Sequence, residues 1–386
     1  MKRLFAIRHL VVLAVAAATT LMVSCFKDDI IELPSGKPFQ PTTSDRIVFQ
    51  AGAQWAEEDV ISRNAATPNR VGKHDLTSAD GELSLPMGVY VEDGIRSTSS
   101  DAETRGTVII DKADITNFNV WAALTKTDNS VINYFSNVAY EKNTTDNVFY
   151  PVNEADEYYW PGSGKLDFVA VANAPTSGFT TTMTDNKLTS FDYTVPTDAT
   201  AQTDIMVANA NNINGNLGAS VPLEFKHIMS AVNIEIGKVV AGEIRSIKLT
   251  GVYNKGTYNV ATNKWTIDTS SKADYDVIFA NGDKFTSTGN ETDDTLVNAS
   301  NATFLFIPQE PAEGAEMIIE FYDTTTGRLY SDDAADAYDH ALRGKIAGDI
   351  WDIAKTTNYK LSIDESLPLL SSLQARNSML TTSLPR

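Results

Sequence analysis

Apolar residues recur at every second position through much of the chain. The segment NFNVWAAL at 117–124 places Phe118, Val120, Ala122 and Leu124 on one face, as a half-buried strand requires. The segment KLDFVAVANA at 165–174 is apolar on both faces after Leu166, which is typical of a central strand. Many short strands separated by Gly, Asn, Asp and Pro predict an all-β fold built from sandwiches. Further strands are predicted at 303–308, 316–322 and 359–363.

Two segments depart from this alternation. Residues 207–221 are rich in Asn and Gly and indicate a loop or linker. Residues 332–347 place apolar side chains at spacings of three and four, which predicts a short helix. Because the chain is long enough for about two domains, we predict one β-sandwich at 45–214 and a second, containing the helix, at 215–363. A tail follows at 364–386.

The N-terminus has the charge order of a secretory signal. Lys2, Arg3 and Arg8 precede an uncharged apolar run at 10–23. That run is shorter than the roughly 17 to 25 residues of a membrane-spanning helix. We therefore predict a signal peptide over residues 1–24, which guides export and is then removed.

Cys25 is the only cysteine of the chain, and it follows the apolar run directly. The preceding Met-Val-Ser resembles a bacterial lipobox, so cleavage is predicted between Ser24 and Cys25, with lipid attached to the Cys25 thiol. The alternative is a buried free cysteine, which is a common core residue. Residues 25–44 then form a polar tether. Its start, FKDD at 26–29, resembles the surface-export signal of Bacteroidetes lipoproteins, although an ordinary solvated tether would have a similar composition.

Charge and cysteine content narrow the function classes. The chain has 31 basic and 50 acidic residues, a formal net charge of −19. Such a field repels nucleic acid, so no nucleic-acid partner is predicted. Because a second cysteine is lacking, no intrachain disulfide can stabilise the fold, and packed cores must do so.

The candidate motifs for catalysis, metal binding and cofactor binding are incomplete. We therefore predict no enzymatic activity, no metal and no cofactor. The glycines of PGSGK at 161–165 lack the spacing of a phosphate-binding loop. The aspartates in 332–339 lack the glycine and terminal glutamate of a calcium loop. No GxSxG elbow is present. His227 is in phase with Leu223 and Phe225, so we interpret it as a core histidine with a hydrogen-bond partner.

Several segments, in their order along the chain, resemble the fimbrillin family of Bacteroidetes. They are the lipobox, RIVF at 46–49, VWA at 120–122, LDFVAVAN at 166–173, DIMVA at 204–208, PLEFKHIMSAV at 222–232, FIPQE at 306–310, and Trp351 followed by YKL at 359–361. The resemblance implies two transthyretin-like (Greek-key) β-sandwiches in a lipoprotein that is held at the outer membrane and built into a surface fimbria. It also implies that a protease removes an N-terminal strand, after which a strand from another fimbrial subunit fills the groove.

Five arginines are candidate processing sites. Four follow the first predicted strand at 46–51, whereas a cut at the remaining one would release the lipid and retain that strand. Each is equally compatible with a plain surface arginine. The candidates are Arg46, Arg63, Arg70, Arg96 and Arg105.

The C-terminal tail and the aromatic residues at 158–160 leave the role of the protein at the cell surface open. The tail at 364–386 shows little alternation and contains two prolines, so it is either a short donor strand or a disordered tail. This favours a tip or accessory subunit over a stalk subunit. The alternative function is a non-polymerising surface lipoprotein that binds a glycan or a host or bacterial surface protein. Its candidate stacking residues are Tyr158, Tyr159 and Trp160, although a core role is also open to them.

Lipidation provides the first test. Mass spectrometry of the mature N-terminus should find an acylated Cys25, and Cys25→Ser should release the protein from membranes because buried acyl methylenes contribute about 0.8 kcal/mol each. An unmodified N-terminus at another residue would contradict the prediction.

Overall fold

The computed structural model describes residues 46–51, 69–95, 115–290, 295–299, 302–332 and 340–363. These residues form β-strands and two short 3-10 turns, Glu154–Asp156 and Ala199–Ala201, without any α-helix. The predicted all-β class is therefore confirmed. In chain order the strands are β1 Phe49–Ala51, β2 Asn69–Thr77, β3 Ser84–Asp93, β4 Asn117–Thr125, β5 Val131–Lys142, β6 Phe149–Pro151, β7 Lys165–Ala172, β8 Phe179–Thr184, β9 Lys187–Thr194, β10 Met206–Asn214, β11 Val221–Leu223, β12 Lys226–His227, β13 Ser230–Ile236, β14 Gly242–Tyr253, β15 Lys255–Asn259, β16 Lys264–Ile267, β17 Lys272–Asp276, β18 Phe285–Ser287, β19 Thr295–Leu296, β20 Phe304–Phe306, β21 Glu316–Asp323, β22 Arg328–Tyr330, β23 Leu342–Lys345 and β24 Lys355–Leu361.

The strands form three sheets. The first has the order β11-β1-β6-β5-β4-β7-β10-β12. The second runs β17-β14-β21-β23-β2-β3-β24-β13-β19, with β18, β20 and β22 attached to β14, β13 and β21. The third, which we call the shared sheet, runs β16-β15-β9-β8. Because consecutive strands often lie in different sheets, the chain crosses repeatedly between them.

The first sheet encloses its own hydrophobic core, which we call the first core. Its two end strands, β11 and β12, are separated in the chain by only Glu224 and Phe225, so the sheet curls until its ends come together. Large aromatic side chains fill the interior; they include Phe49, Phe118, Tyr140, Phe149, Phe168 and Phe225.

Strands β4 and β7 contribute to two cores at once. Phe168 and Ala170 face the first core, whereas Val171 belongs to the larger second core. In β4, Val120 faces the first core and Trp121 the second, so the predicted half-buried strand at 117–124 is wrong, because both of its faces are covered. This two-sided burial confirms the prediction of a central strand at 165–174, because β7 lies between β4 and β10 with both faces covered.

Strands from both halves of the chain build the second and shared sheets. β24 pairs with β3 over the whole of Lys355–Leu361. In the shared sheet β15 pairs with β9 from Lys255↔Thr194 to Asn259↔Ser190. The predicted division at 214/215 therefore has backbone pairing across it on both sides of the second core. The two-domain division itself stays a prediction.

The predicted linker at 207–221 is wrong over its first part, because β10 occupies Met206–Asn214 and pairs with β7. The small side chains of Ala208 and Ala210 point into the first core, and Asn209 between them is exposed. A register shift between Ala210 and Ile213 accommodates the asparagine run, with Asn212 at φ 59°. Asparagine adopts this left-handed region more readily than most residues.

The predicted helix at 332–347 is wrong over its second part, since Leu342–Lys345 is strand β23; residues 333–339 lie outside the described residues. Strand pairing to β21 buries Leu342 and Gly344 and exposes Arg343 and Lys345. A Cβ atom on Gly344 would lie 2.8 Å from Leu76 Cγ. Only glycine lets β23 approach β2 so closely.

Two adjacent threonines on β24 provide a stability test. Thr357 lies on the core face with Tyr359, is 1% exposed, and its hydroxyl has no hydrogen-bond partner in the described structure. The hydroxyl of Thr356 donates to Gly94 O at 2.7 Å. Thr357→Val should raise the free energy of unfolding by about 1 kcal/mol, and Thr356→Val should lower it by about 1 to 2 kcal/mol. Denaturant unfolding measures both, and equal effects would contradict the assignment.

Candidate assembly groove

Residues 46–51, which we call the entry strand, occupy a groove in the first sheet. β1 pairs in parallel with β11, from Phe49↔Val221 to Ala51↔Leu223, and antiparallel with β6 at Phe49↔Phe149. Just before β1, Ile47 N–H donates to Tyr158 O at 2.8 Å. The backbone of the entry strand is thus hydrogen-bonded on both sides, like an inner strand.

Alternation on the entry strand directs its apolar side chains into the first core. Ile47 and Phe49 are both 0% exposed, whereas Gln50 is exposed. The Phe49 ring makes edge-to-face contacts with Tyr140 at 4.8 Å and Phe168 at 5.3 Å between centroids. Such pairs contribute about 0.5 to 1.5 kcal/mol beyond the area they bury. Phe49 is therefore the anchor of the strand.

Two tyrosines on β5 give the groove polar contacts within an apolar wall. Tyr140 OH donates to Ile47 O at 3.4 Å, and burial raises the pKa of this phenol well above its ordinary value. Tyr134 OH donates to Tyr159 O at 2.5 Å, and burial raises the pKa of Tyr134 to about 12. Both phenols stay protonated at neutral pH. They can therefore donate hydrogen bonds to the entry strand and to the segment beside it.

Arg46 lies at the start of the entry strand. Its backbone bridges to Tyr159, and its guanidinium forms a 2.7 Å ion pair with Glu157. Tyr159 OH donates to the same Glu157 carboxylate at 3.1 Å. A protease acting at Arg46 would first have to displace these contacts.

Removal of the entry strand would leave β11 without its paired strand and β6 without the partner of Phe149. Each lost backbone hydrogen bond costs roughly 0.5 to 1.5 kcal/mol. Loss of the two buried side chains adds about 1.5 to 3 kcal/mol each. The groove left behind would combine hydrogen-bonding backbone with apolar pockets, which is the surface that an added strand matches.

The other predicted site residues are scattered or lie outside the described residues. Arg70 lies on β2 and pairs with Tyr90 of β3. Ser24, Cys25, Arg63, Arg96 and Arg105 fall outside the described ranges.

His227 and the aromatic residues at 158–160 lie in or beside the hydrophobic cores. His227 is 7% exposed, and its Nδ1 lies 2.9 Å from Asp204 Oδ2, which confirms the predicted core histidine. Trp160 is 5% exposed and packs in the first core. Tyr158 packs beside that core and supplies the carbonyl that binds Ile47. Tyr158 and Tyr159 border the groove through their backbone, a role that only their pairing with Ile47 and Arg46 reveals.

Sequence reasoning missed the far wall of the groove, which is formed by Val221 and Leu223. Their alternation with Phe225 was the available signal.

Across the described ranges, no cluster of three or more His, Cys, Asp or Glu side chains is arranged to hold a metal ion. Within the same ranges, no helix has the length and apolarity to span a membrane.

The fold and groove define an all-β protein whose N-terminal strand completes its own first sheet. The model of a family described as fimbrillin-like matches residues 104–376. The chain therefore belongs to the fimbrillin-like family, whose members are structural fimbrial and adhesin proteins rather than enzymes. Membership supports a fimbrial or adhesin-like subunit at a cell-surface appendage, and members of the family form fimbrial assemblies with other subunits.

Solved structures with some similarity come from Bacteroides and Porphyromonas species. A candidate cell adhesion protein from Bacteroides ovatus is 14% identical, with 62% of this chain and 87% of that chain covered and a TM-score of 0.35. The fimbrial anchor protein Mfa2 from Porphyromonas gingivalis is 15% identical over 57% and 73%, with a TM-score of 0.26. The tip fimbrial protein Mfa3 of the same organism, truncated at its C-terminus, is 8% identical over 66% and 90%, with a TM-score of 0.27. No curated protein matches significantly.

Phe49 provides the test of the groove. Phe49→Ala should lower the free energy of unfolding of the first core by about 3 to 5 kcal/mol, because it empties a fully buried aromatic site. The neighbouring Gln50→Ala, on the exposed face, should change it by less than about 0.5 kcal/mol. Denaturant unfolding followed by near-UV circular dichroism measures both. A cost below about 1 kcal/mol for Phe49→Ala would show that the strand is not anchored there.

Proposed function

We propose that the protein is exported as an outer-membrane lipoprotein and built into a fimbria by exchange of its entry strand for a strand of another subunit. The observation that carries the proposal is the complete burial of Ile47 and Phe49 in a groove paired on both sides. Only six described residues fill this groove. A segment that short can be replaced by an equivalent strand without refolding the rest of the sheet.

A replacing strand must meet two physical requirements. It must offer backbone groups to β6 and β11, and it must place apolar side chains at alternate positions to fill the pockets of Ile47 and Phe49. An intramolecular strand has the advantage of high effective concentration. A donor from another subunit therefore competes well only after the link to the entry strand is cut.

Among the candidate arginines, Arg63 fits this step best. A cut there falls between β1 and β2, so it separates the entry strand alone. A cut after Arg96 or Arg105 would also separate β2 and β3 from the chain, although β3 pairs with the whole length of β24. Cleavage after Arg70 would require β2 to leave its pairing with β3, because proteases bind extended backbone that is free of such pairing.

An arginine-specific protease tests the proposal on the purified chain carrying Cys25→Ser. Treatment should cut after Arg63, and a synthetic donor peptide with alternating apolar residues should then bind with loss of the fragment that contains 46–51 and ends at Arg63. Arg63→Lys keeps the charge but resists the protease, so it should block exchange. Matched Arg96→Lys and Arg105→Lys variants should exchange normally. Intact mass spectrometry and size-exclusion chromatography report the fragment and the bound peptide.

Two outcomes would overturn the proposal. If the cut protein keeps its entry strand and takes up no donor peptide, the strand is a permanent part of the sheet. The protein would then be a non-polymerising surface lipoprotein that binds a glycan or another protein. If exchange is blocked only by Arg96→Lys or Arg105→Lys, the entry strand does not leave alone. Whether the subunit is a tip, accessory or stalk component, and whether 364–386 acts as a donor strand, stay predictions.

A further inference from the structure

Strand β8, Phe179–Thr184, is an end strand of the shared sheet and differs from the other end strands. Natural proteins protect exposed edges with charges, prolines or very short strands. The end strand β17 carries Lys272, Asp274 and Asp276, and β16 carries Lys264. β11, β12 and β19 have only two or three residues. The sequence of β8, FTTTMT, has six residues without a charge or a proline, and four of its six residues are exposed.

The pairing of β8 with β9 decides which of its backbone groups face outward. Thr194 N–H donates to Gly178 O at 2.9 Å, so 178 and 194 form a hydrogen-bonded pair in the register Phe179↔Tyr193. Such pairs alternate along antiparallel strands. The N–H and C=O groups of 180 and 182 therefore also point to β9. Those of Phe179, Thr181 and Met183 point away from the described sheet.

We propose that β8 pairs with β8 of a second copy of this chain, antiparallel and centred on Thr181. With Thr181 opposite itself, Phe179 lies opposite Met183 and Thr180 opposite Thr182. Each outward-facing N–H then meets a C=O of the second copy, and each outward-facing C=O meets an N–H. The four-stranded shared sheet becomes a continuous eight-stranded sheet across the two copies.

This register is self-complementary in its side chains. Alternation places Phe179 and Met183 on the face that carries Phe191 and Tyr258, so pairing extends that apolar layer with a sulfur–aromatic contact. On the opposite face Thr180 meets Thr182, and threonine pairs are favourable across strands. A shift by one residue would bring residues of opposite faces together.

The charge distribution makes the β8 edge, rather than another part of the surface, the place where a second copy can approach. The chain carries a net charge of −19, so two copies repel each other over most of their surfaces. β8 is a charge-free approach, and the same register places Asp185 opposite Ser177. One strand pair buries less than the ~1,200 Å² of a stable interface, so the contact is weak and forms where copies are concentrated. The inference does not rest on the proposed function.

Cysteine cross-linking tests the register, since Cys25→Ser leaves the protein without cysteine. Thr181→Cys should form a disulfide-linked dimer at high protein concentration, because opposing Cα atoms in a hydrogen-bonded pair lie about 5.5 Å apart. Thr180→Cys and Thr182→Cys should cross-link when mixed and much less when alone. Thr266→Cys, exposed on β16, is the matched control and should stay monomeric.

Backbone substitution then separates strand pairing from random collision. Thr181→Pro removes an outward-facing N–H without taking a hydrogen bond from β9, so it should abolish concentration-dependent dimerisation in analytical ultracentrifugation. Thr181→Val keeps the donor and should dimerise like the parent. Circular dichroism and thermal unfolding should show both variants folded. Equal cross-linking at Thr266→Cys, or equal yields from the mixed and single variants, would overturn the proposal, as would dimerisation that survives Thr181→Pro.

Discussion

The two-sided burial of β4 and β7 is the constraint on which the architecture depends. Val120 and Phe168 pack into the first core, while Trp121 and Val171 pack into the second. Neither core can be completed unless these strands are held between them. The first sheet must therefore curl around one face, and the second and shared sheets must cover the other. This arrangement couples parts of the chain that lie far apart in sequence.

Closure of the first sheet creates a single position that the N-terminal segment fills. Because β6 and β11 do not pair with each other, the entry strand supplies the backbone partners of both. The interactions that stabilise it there, burial of Phe49 and hydrogen bonds on both sides, are also those that make an empty groove unfavourable. Under the proposed strand exchange, the stability of the monomer and the affinity for a replacing strand would therefore have the same physical origin.

The hairpin formed by β2 and β3 is attached differently, although it also precedes the main body of the chain. A buried polar chain connects it to the end of the fold. His74 Nε2 lies 2.9 Å from Asp349 Oδ1, Tyr359 OH donates to Asp349 Oδ2 at 2.8 Å, and Trp351 Nε1 donates to Tyr359 OH at 3.0 Å. The hydrogen bond to Asp349 raises the pKa of His74. Buried polar groups that are satisfied in this way favour one arrangement of the packed elements, so the hairpin belongs to the second core.

The sequence by itself determined the all-β class, the two-sided burial of β7 and the core position of His227, because alternation and burial follow directly from residue order. For β4 it predicted one buried face, because the cover over Trp121 comes from strands that are distant in sequence. It did not distinguish β10 from a linker, since Asn and Ala occur both in loops and in strands with small inward side chains. The spacing of the alanines near Leu342 predicted a helix, although Leu342–Lys345 pairs with β21 as a strand. The groove could not be predicted from the sequence either, because Phe49 meets Val221 and Phe149 only when the sheet closes. Such long-range pairings depend on how all strands share two cores, which no local pattern encodes.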